Sequence, residues 1–385
     1  MTHRVLGPGS RIGLMGGGQL GRMFILAARS MGYRVNVFVP ETDSPAGQLA
    51  DVEMSHDYLD EEAVREFARG VDVVTLEFEN IPLQAMTWAG EHCEVRPRGE
   101  ILHTTQNRAR EKQFLAAHGF PLPAWAPVAT REDLDAALAH TGYPAILKTA
   151  SFGYDGKGQM QIKSSADAEK FDPLSGPFVL EAKVPFVMEL SVVVARGADG
   201  ETVCYPVCEN IHRNHILDTT IVPGRVSPEV AARASELARE IAARLDLVGV
   251  MAVEMFLLED GTLLVNELAP RPHNSGHFSI DACMTSQFEQ QLRAVCGLPL
   301  GSTELLRPCA MANLLGDVWE GGEPDWAAAA GLSDVKIHLY GKAEPRPGRK
   351  MGHLTAFGAT PDEALERVVA AREALRKSRS GVPAA

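Results

Sequence analysis

The sequence predicts an α/β protein with an α+β middle domain, arranged as consecutive domains. Its 385 residues correspond to two or three domains of about 150 residues each. The first hundred residues alternate short apolar runs with amphipathic stretches, which is typical of parallel strands joined by crossover helices. Hydrophobic residues make up 45% and charged residues 23% of the chain, the balance of an ordinary soluble globular protein.

The first domain is expected over residues 1–103. Because strand and helix alternate along it, we interpret it as Rossmann-like. The strands and helices predicted in chain order are Arg11–Met15, 20–31, Arg34–Val39, 61–68, 71–76 and 83–89.

A second domain is expected over residues 104–297, with a lid over roughly 118–182, and a third over residues 298–378. The second opens with a helix at Asn107 that ends at Gly119, before two prolines. Residues 379–385 are small and polar and are expected to form a flexible tail. The other elements predicted in these two domains are strands at 143–148, 177–181, 310–315, 335–340 and 352–357 and helices at 228–245 and 361–377.

Charge and composition exclude several classes of function. The net charge of −13 argues against a nucleic-acid-binding protein, which needs a basic surface to contact the phosphates. Apolar runs are too short to cross a membrane, and residues 1–9 lack the apolar core of a secretory signal, so we expect a cytoplasmic protein. The six cysteines show no C-x-x-C or zinc-type spacing and are expected to be reduced core residues.

A glycine-rich turn follows the first predicted strand. Gly16 to Gly21 fits G-x-G-x-x-G between a strand and a helix, which favours a dinucleotide such as NAD. The acidic residue expected at the end of the second strand is missing there, because Pro40 intervenes before Glu41 and Asp43. The glycines are therefore equally compatible with a tight strand-to-helix turn that binds no ligand, or with another small ligand at the helix N-terminus.

Two glutamates flank a predicted hairpin between residues 250 and 268. A two-residue turn at Asp260 and Gly261 would place Glu254 directly opposite Glu267. Two carboxylates across a ladder repel each other unless a cation lies between them, and oxygen-only ligation suits Mg²⁺. The alternatives are an ion pair with an arginine or a shifted register.

Lys148 ends a predicted strand and precedes the glycine-rich segment 149–159. A lysine beside such a segment can provide charge and backbone donors to a polyphosphate, although no Walker A motif is present. The alternative is a hairpin tip whose Lys157 is simply solvated. The extended stretch at 182–191 then offers backbone groups to an adenine edge and an acid to ribose.

Taken together, these motifs resemble the ATP-grasp superfamily and, within it, the N5-carboxyaminoimidazole ribonucleotide synthetase family of purine biosynthesis. The resemblance covers residues 12 to about 375 and implies the ATP-grasp architecture: a Rossmann-like N-terminal domain, a two-lobed ATP-binding domain and a small C-terminal domain. Its most specific segments are 16–21, 77–80, 152–159, 209–212 and 266–277.

The resemblance implies a set of ATP and Mg²⁺ contacts. Glu254 and Glu267 would hold Mg²⁺, whereas Ala269 stands where many members place an asparagine ligand. The implied nucleotide-binding residues are Lys112 and Lys148 at the phosphates, Gly153, Gly156 and Gly158 in the flap, Glu181, Lys183 and Val184 at the adenine, Glu189 at the ribose, and Asn266.

The implied reaction starts with attack of bicarbonate on ATP to give carboxyphosphate, followed by carboxylation of the exocyclic amine of 5-aminoimidazole ribonucleotide. Arg271, His273 and Lys157 would be catalytic, with His273 either a proton acceptor or a structural hydrogen-bonding group. The implied substrate contacts are Gln19, Leu20 and Glu77 at the ribose or imidazole, Asn210 and His212 near bicarbonate, Lys342, Arg349 and Lys350 at the phosphate, and Tyr154, Asp155 and Asn274.

Two other functions compete with this reading. Formate-dependent glycinamide ribonucleotide transformylase shares the ATP-grasp architecture, and an NAD-dependent dehydrogenase would use the first glycine-rich turn. The Tyr154-Asp155 pair and the 209–212 segment favour the carboxylating family. The partners expected are small molecules and, since the family commonly forms dimers, a second copy of the chain.

Overall fold

Residues 4–151, 158–171 and 176–376 are described by a computed structural model of the chain. Within these ranges no helix is both long and apolar enough to cross a membrane. All six cysteines lie in the described part and are unpaired. Four of them are buried, as predicted for core residues, whereas Cys93 and Cys204 are half-buried.

The first domain is a parallel sheet with helices packed on both faces. Its strand order, β3-β2-β1-β4-β5, confirms the Rossmann-like prediction. The elements are β1 (Arg11–Met15), α1 (Gln19–Ser30), β2 (Arg34–Val39), β3 (Val52–Ser55), α2 (Glu61–Arg69), β4 (Val73–Leu76), α3 (Leu83–Gly90), β5 (Glu94–Val95) and α4 (Gly99–Thr105), with a 3₁₀ turn at Gly47–Leu49.

A smaller antiparallel sheet, which we call the lid sheet, follows the first helix of the second domain. Its strand order is β6-β9-β7-β8. Thr130 and Asp133 form a capping box that starts its main helix. The elements are α5 (Arg108–Ala117), β6 (Trp125–Val128), α6 (Arg131–Thr141), β7 (Ala145–Thr149), β8 (Gln159–Ile162), α7 (Ser165–Ala168) and β9 (Phe178–Ala182).

The rest of the second domain contributes six of the nine strands of a large antiparallel sheet. Helix α8 begins at the Ser227 cap with Pro228 in its first turn, and it packs its apolar face against three strands of this sheet. The elements are β10 (Met188–Arg196), β11 (Thr202–Cys204), β12 (Cys208–Arg213), β13 (Ile216–Val222), α8 (Pro228–Arg244), β14 (Gly249–Leu257), β15 (Leu263–Ala269), α9 (Ser279–Ala282) and α10 (Gln287–Val295), with a 3₁₀ turn at Asn274–Gly276.

The C-terminal strands continue this same sheet rather than forming a separate one. β16 pairs with β13, so the nine-stranded sheet runs β15-β14-β10-β12-β13-β16-β18-β17, with β11 beside β10. One face of the C-terminal strands is covered by α12, and the opposite face continues into the second domain. The elements are β16 (Cys309–Leu315), α11 (Trp326–Ala330), β17 (Val335–Leu339), β18 (Lys350–Phe357) and α12 (Pro361–Ala374), with a 3₁₀ turn at Gly316–Trp319.

Candidate active site

Glu254 and Glu267 are direct partners in the β14–β15 ladder, so the predicted pairing is confirmed. The predicted two-residue turn is wrong. Leu258 N donates to Thr262 O at 2.9 Å and Gly261 N donates to Leu258 O at 3.0 Å, which makes a three-residue loop. Gly261 accommodates this loop with a φ of +83°.

A β-bulge restores the glutamate pairing. Next to the loop, Met255 pairs with Val265, but Glu254 pairs with Glu267, which leaves Asn266 as the extra residue. In a regular ladder Glu254 would face Asn266, and Glu267 would lie on the opposite face of the sheet. The bulge therefore brings both carboxylates to one face.

The electrostatics of this pair fit a divalent cation. Burial, together with the charge of Glu267, raises the pKa of Glu254 to about 7. Burial also opposes ionisation of Glu267, but Arg108, whose Nη1 lies 3.0 Å from Glu267 Oε2, holds the pKa of Glu267 below its ordinary value. The buried Asn266 Oδ1 has no hydrogen-bond partner. These oxygen donors suit Mg²⁺.

No cluster of three or more His, Cys, Asp or Glu side chains arranged to hold a metal occurs in the described ranges. A site with two carboxylates would therefore complete its ligand shell with water and substrate oxygens, which is the usual arrangement for Mg²⁺ beside phosphates.

Two buried lysines, separate from the glutamate pair, share one carboxylate. Lys112 Nζ and Lys148 Nζ lie 3.3 and 3.1 Å from Glu181 Oε2. Burial opposes ionisation of Glu181, but the two ammonium groups outweigh it and lower the pKa of this carboxyl. Since two cations face one anion, the cluster keeps a net positive charge suited to phosphate. The Glu181 side chain, predicted at the adenine, instead contacts the lysines.

Other residues predicted at the nucleotide lie near the end of β9. Lys183 is exposed and its N–H donates to Pro144 O at 3.0 Å, whereas Val184 is half-buried. Glu189 Oε2 lies 2.7 Å from His212 Nδ1, so residues predicted for two different ligands form one pair. Burial opposes protonation of His212, but the hydrogen bond to Glu189 raises its pKa.

The loop after β15 carries three predicted site residues. Arg271 forms a hydrogen-bonded ion pair with Glu79, and His273 Nε2 lies 3.2 Å from Glu254 Oε1. Burial lowers the pKa of His273 to about 3, so its ring is neutral. The amide oxygen and nitrogen of Asn274 are both buried without a partner. A cleft of about 80 Å³ opens between Glu79, Arg108, Glu267, Arg271 and His273.

Asn210 is buried inside the sheet. Its Nδ2 donates to Ser191 Oγ at 2.9 Å and its Oδ1 accepts from Thr220 Oγ1 at 3.0 Å. The amide is therefore engaged by its neighbours, which argues against the predicted contact with bicarbonate.

The first glycine-rich turn encloses a carboxylate. Gly18 N and Gly21 N donate to the two oxygens of Glu77 at 2.8 and 3.3 Å, and a Cβ at Gly16 would lie 2.7 Å from Glu77 Cγ. Because Glu77 occupies the space that a dinucleotide pyrophosphate needs, the NAD interpretation is wrong. Gln19 is half-buried at this turn, but the Leu20 side chain belongs to the domain core, so a substrate contact by that side chain is also wrong.

The predicted basic cluster lies between this turn and the glutamate pair. Lys342 Nζ donates to Lys350 O at 2.8 Å, and Arg349 Nη1 donates to Glu344 O at 2.8 Å. Burial and the charge of Arg349 lower the pKa of Lys342 to about 8, although Glu77 acts in the opposite direction. Lys350 in turn opposes the rise in the pKa of Glu254, so the basic cluster acts electrostatically on both Glu77 and Glu254.

A second bulge orients Lys350. Leu314 pairs with Gly352 but Leu315 pairs with Lys350, which leaves Met351 as the extra residue of β18. This bulge brings Lys350 to the sheet face that carries His353, which is also the face of the glutamate pair.

Five predicted residues, Gly153, Tyr154, Asp155, Gly156 and Lys157, lie outside the described residues. Gly158 is described and has a φ of +73°, and a Cβ there would lie 2.6 Å from Thr149 Oγ1. Thr149 N donates to Gly158 O at 2.9 Å.

Sequence reasoning missed Arg108 and Glu111 as site residues. Arg108 lies four residues before Lys112, a spacing that puts both on one face of α5, and this signal could have found it. Glu111 Oε2 accepts from Leu268 N at 3.0 Å, and burial raises its pKa to about 8. Its contact joins positions 157 residues apart, which no local pattern predicts.

Three known family models match successive segments of the chain. Residues 10–106 match the ribonucleotide synthetase preATP-grasp domain, and residues 113–288 match the ATP-grasp domain. Residues 309–367 match the phosphoribosylaminoimidazole carboxylase C-terminal domain.

Relatives similar to this chain along nearly its whole length are known. N5-carboxyaminoimidazole ribonucleotide synthase of Bacillus subtilis is 48% identical over 96% of this chain and 97% of its own. A crystal structure of N5-carboxyaminoimidazole ribonucleotide synthetase with ADP is 43% identical, with a TM-score of 0.92 over 98% of this chain and all of the other. The Aspergillus clavatus enzyme, solved with ADP and 5-aminoimidazole ribonucleotide, is 34% identical, with a TM-score of 0.86 over 95% and 98% of the two chains.

Proposed function

The chain belongs to the N5-carboxyaminoimidazole ribonucleotide synthase family, and from this premise we propose that the cleft between the glutamate pair, the buried lysines and the basic cluster is its active site. It is an ATP-dependent ligase of purine biosynthesis that carboxylates 5-aminoimidazole ribonucleotide to N5-carboxyaminoimidazole ribonucleotide.

ATP is proposed to bind between the lid sheet and the large sheet. The net positive charge of Lys112, Lys148 and Glu181 supports binding of the phosphates, because a buried excess cation is neutralised by a phosphate oxygen. The backbone of Lys183 and Val184, which follow β9, would reach the adenine, and Glu189 would bind the ribose. Gly153, Gly156 and Gly158 would cover the phosphates.

Glu254 and Glu267 are the proposed Mg²⁺ ligands, with Asn266 beside them. Bound there, Mg²⁺ would neutralise charge on the phosphate oxygens during transfer. Arg108 holds Glu267 in its ionised form.

The carboxylation is proposed to proceed in two steps. A bicarbonate oxygen attacks the γ-phosphorus and ADP leaves, which gives carboxyphosphate. The exocyclic amine nitrogen of the ribonucleotide then bonds to the carboxyphosphate carbon as the C–O bond to phosphate breaks, and the departing phosphate takes up the amine proton. Arg271 and Lys157 are proposed to stabilise negative charge in these steps, and the half-buried Arg271 is held in place by Glu79.

The ribonucleotide is proposed to lie between the first glycine-rich turn and the basic cluster. Lys342, Arg349 and Lys350 would bind its phosphate. Glu77 and Gln19 would contact the ribose or imidazole, with Tyr154, Asp155 and His212 near the reacting groups. Asn274, whose buried amide has no protein partner, supports a polar ligand at the same cleft.

The observation that carries this assignment is the pairing of Glu254 with Glu267 on one sheet face. Glu267 also lines the cleft, together with Arg108, Arg271 and His273. Arg108 pairs with Glu267 and not with Glu254, so a divalent cation between the two carboxylates would relieve the repulsion that remains.

Measurement of ADP release with ATP and Mg²⁺ tests the proposal. We expect release to require both bicarbonate and 5-aminoimidazole ribonucleotide, and formate with glycinamide ribonucleotide to give none. Glu267→Gln should reduce turnover by more than about 100-fold. This loss is larger than the roughly 10- to 100-fold loss typical when a residue that only hydrogen-bonds to a metal ligand is replaced. Glu366→Gln, an exposed position on α12, is the matched control. Release stimulated by formate and glycinamide ribonucleotide would instead support the transformylase.

We also propose that the enzyme works in the cytoplasm as a homodimer. Its unpaired cysteines fit a reducing compartment. A second copy would cover apolar side chains left exposed on the first domain, such as Leu26 and Leu59. Sedimentation equilibrium measures the mass, and a monomer at micromolar concentration would contradict the dimer.

A further inference from the structure

Four residues form a bracket that includes one of the paired glutamates, held by two side-chain hydrogen bonds, one ladder pairing and one close contact. Ser191 and Glu254 are direct partners across the β10–β14 ladder. His273 and Ser275 lie over them, with His273 Nε2 3.2 Å from Glu254 Oε1 and Ser191 Oγ 2.7 Å from Ser275 Oγ. His273 Nδ1 closes the bracket at 2.9 Å from Ser275 Oγ.

The backbone identifies the tautomer of His273. Ser275 N lies 3.3 Å from His273 Nδ1 and is aligned to donate, because His273 caps the 3₁₀ turn Asn274–Gly276. A backbone N–H has no lone pair to offer and can only donate, so Nδ1 must be unprotonated. The ring proton is therefore on Nε2, which faces Glu254 Oε1.

A series of hydrogen bonds between buried polar groups favours the same tautomer of His273. The Thr220 hydroxyl donates to Asn210 Oδ1 at 3.0 Å, Asn210 Nδ2 donates to Ser191 Oγ at 2.9 Å, and the Ser191 hydroxyl donates to Ser275 Oγ. The Ser275 hydroxyl then has its proton free for His273 Nδ1. Thr220, Ser191 and Ser275 are fully buried, so water does not compete for these bonds.

The position of the imidazole is fixed by Gln287. Its Oε1 accepts from His273 N at 2.8 Å and its Nε2 donates to His273 O at 2.7 Å. Gly276 makes room for this side chain, because a Cβ there would lie 2.5 Å from Gln287 Oε1.

We propose that His273 is a positioning residue, whose Nε2–H holds Oε1 of Glu254 and so orients Oε2 toward the cation, and that it is not the proton acceptor of the carboxylation. This inference rests on the proposed function of the cleft. Both ring nitrogens are committed: Nδ1 accepts from Ser275, and Nε2 already carries a proton. Hydrogen bonds from such outer partners fix the orientation of ligating carboxylates.

Two substitutions separate the positioning role from proton transfer. In His273→Gln the side-chain amide nitrogen stands the same number of bonds from Cβ as Nε2, so it can donate to Glu254 but cannot accept a proton. His273→Ala removes the donor. His92→Gln, at an exposed position after α3, is the matched control.

The first measurement is the affinity for Mn²⁺ in the presence of ADP, obtained from the electron paramagnetic resonance of free Mn²⁺, with ADP binding in EDTA as the test of folding. We expect His273→Ala to weaken Mn²⁺ binding about 10- to 100-fold and His273→Gln to remain within about threefold of the parent. ADP binding in EDTA should be unchanged in both. Normal Mn²⁺ affinity in His273→Ala, or equal losses in the two variants, would overturn the proposal.

The second measurement is ribonucleotide-dependent turnover. His273→Gln should keep most of the parent kcat at saturating Mn²⁺. If it binds Mn²⁺ normally but loses turnover as severely as His273→Ala, His273 is the proton acceptor and the proposal is wrong. The Mn²⁺ titration needs no turnover, so a parent enzyme that binds Mn²⁺ and ADP but ignores the ribonucleotide would refute the proposed function alone.

Discussion

Lys342 is a residue whose charge changes within the pH range of an ordinary assay. Its ammonium lies 5.7 Å from the centre of the Tyr340 ring, and burial lowers its pKa to about 8. The unfolded chain keeps this proton to about pH 10.4. The neutral folded form is therefore favoured between these values, and stability gains from Lys342 as pH rises, while its capacity to bind an anion is lost.

We expect the KM for 5-aminoimidazole ribonucleotide to rise up to about tenfold per pH unit above pH 8, because only the charged lysine attracts the phosphate. Lys342→Arg should flatten this rise, since arginine stays protonated throughout. Steady-state kinetics from pH 7 to 9.5 measure the pH dependence of this KM in both proteins, with the KM for ATP as internal reference. An equal rise in Lys342→Arg would show that another group titrates.

Some contacts of single residues could be predicted from the sequence, and others could not. Glu254 and Glu267 could be predicted because a local turn signal connects their strands. The partner of Arg271 could not, because Glu79 lies 192 residues away on another domain. The contact of Glu181 with two lysines could not be predicted either, since no local pattern shows that β9 brings its carboxylate to them.

At the scale of elements, the site depends on irregular strands. The hairpin pairing was predicted correctly from a wrong turn, because the longer loop and the bulge at Asn266 cancel each other in register. Bulges at Asn266 and Met351 each turn one charged residue to the site face. Periodicity alone cannot reveal them, since a bulge is a departure from the period of two.

The first glycine-rich turn makes a separate prediction. Gly16→Ala places a Cβ against Glu77 at a φ of +108°, whereas Gly9→Ala meets a similar strain at +92° with nothing within 4 Å. Each should lose about 1–3 kcal/mol of stability. Only Gly16→Ala should raise the KM for the ribonucleotide, by roughly tenfold, because it displaces Glu77.

Thermal unfolding and steady-state kinetics of the two variants test this comparison. The role assigned to Glu77 would be contradicted by a rise in KM that is equal in Gly9→Ala, since that position does not contact the carboxylate.

At the scale of the whole molecule, the large sheet joins the second domain to the C-terminal strands. The domain order could be predicted from the alternation of strands and helices and from the change of pattern after Gly297. The continuity of the sheet could not, because pairing of β13 with β16 joins segments about 90 residues apart. The boundary at residue 297 is therefore a boundary of sequence pattern and not of hydrogen bonding.

A chain truncated after residue 297 should consequently fail to fold as an ATP-binding unit. Truncation exposes the backbone edge of β13 and removes Cys309 and Met311 from a shared core. We expect aggregation on size-exclusion chromatography and loss of near-ultraviolet circular dichroism. A monodisperse fragment that binds ADP with the affinity of the full chain would contradict this expectation.

The continuity of this sheet has a consequence for substrate selection. Lys350 on β18 and Glu254 on β14 are separated by five steps between neighbouring strands, and each step is a hydrogen-bonded ladder. Strands tied by continuous ladders cannot spread apart independently. A ribonucleotide lengthened by one bond between its ring and its phosphate should therefore be rejected by distance alone, even with every recognised group intact.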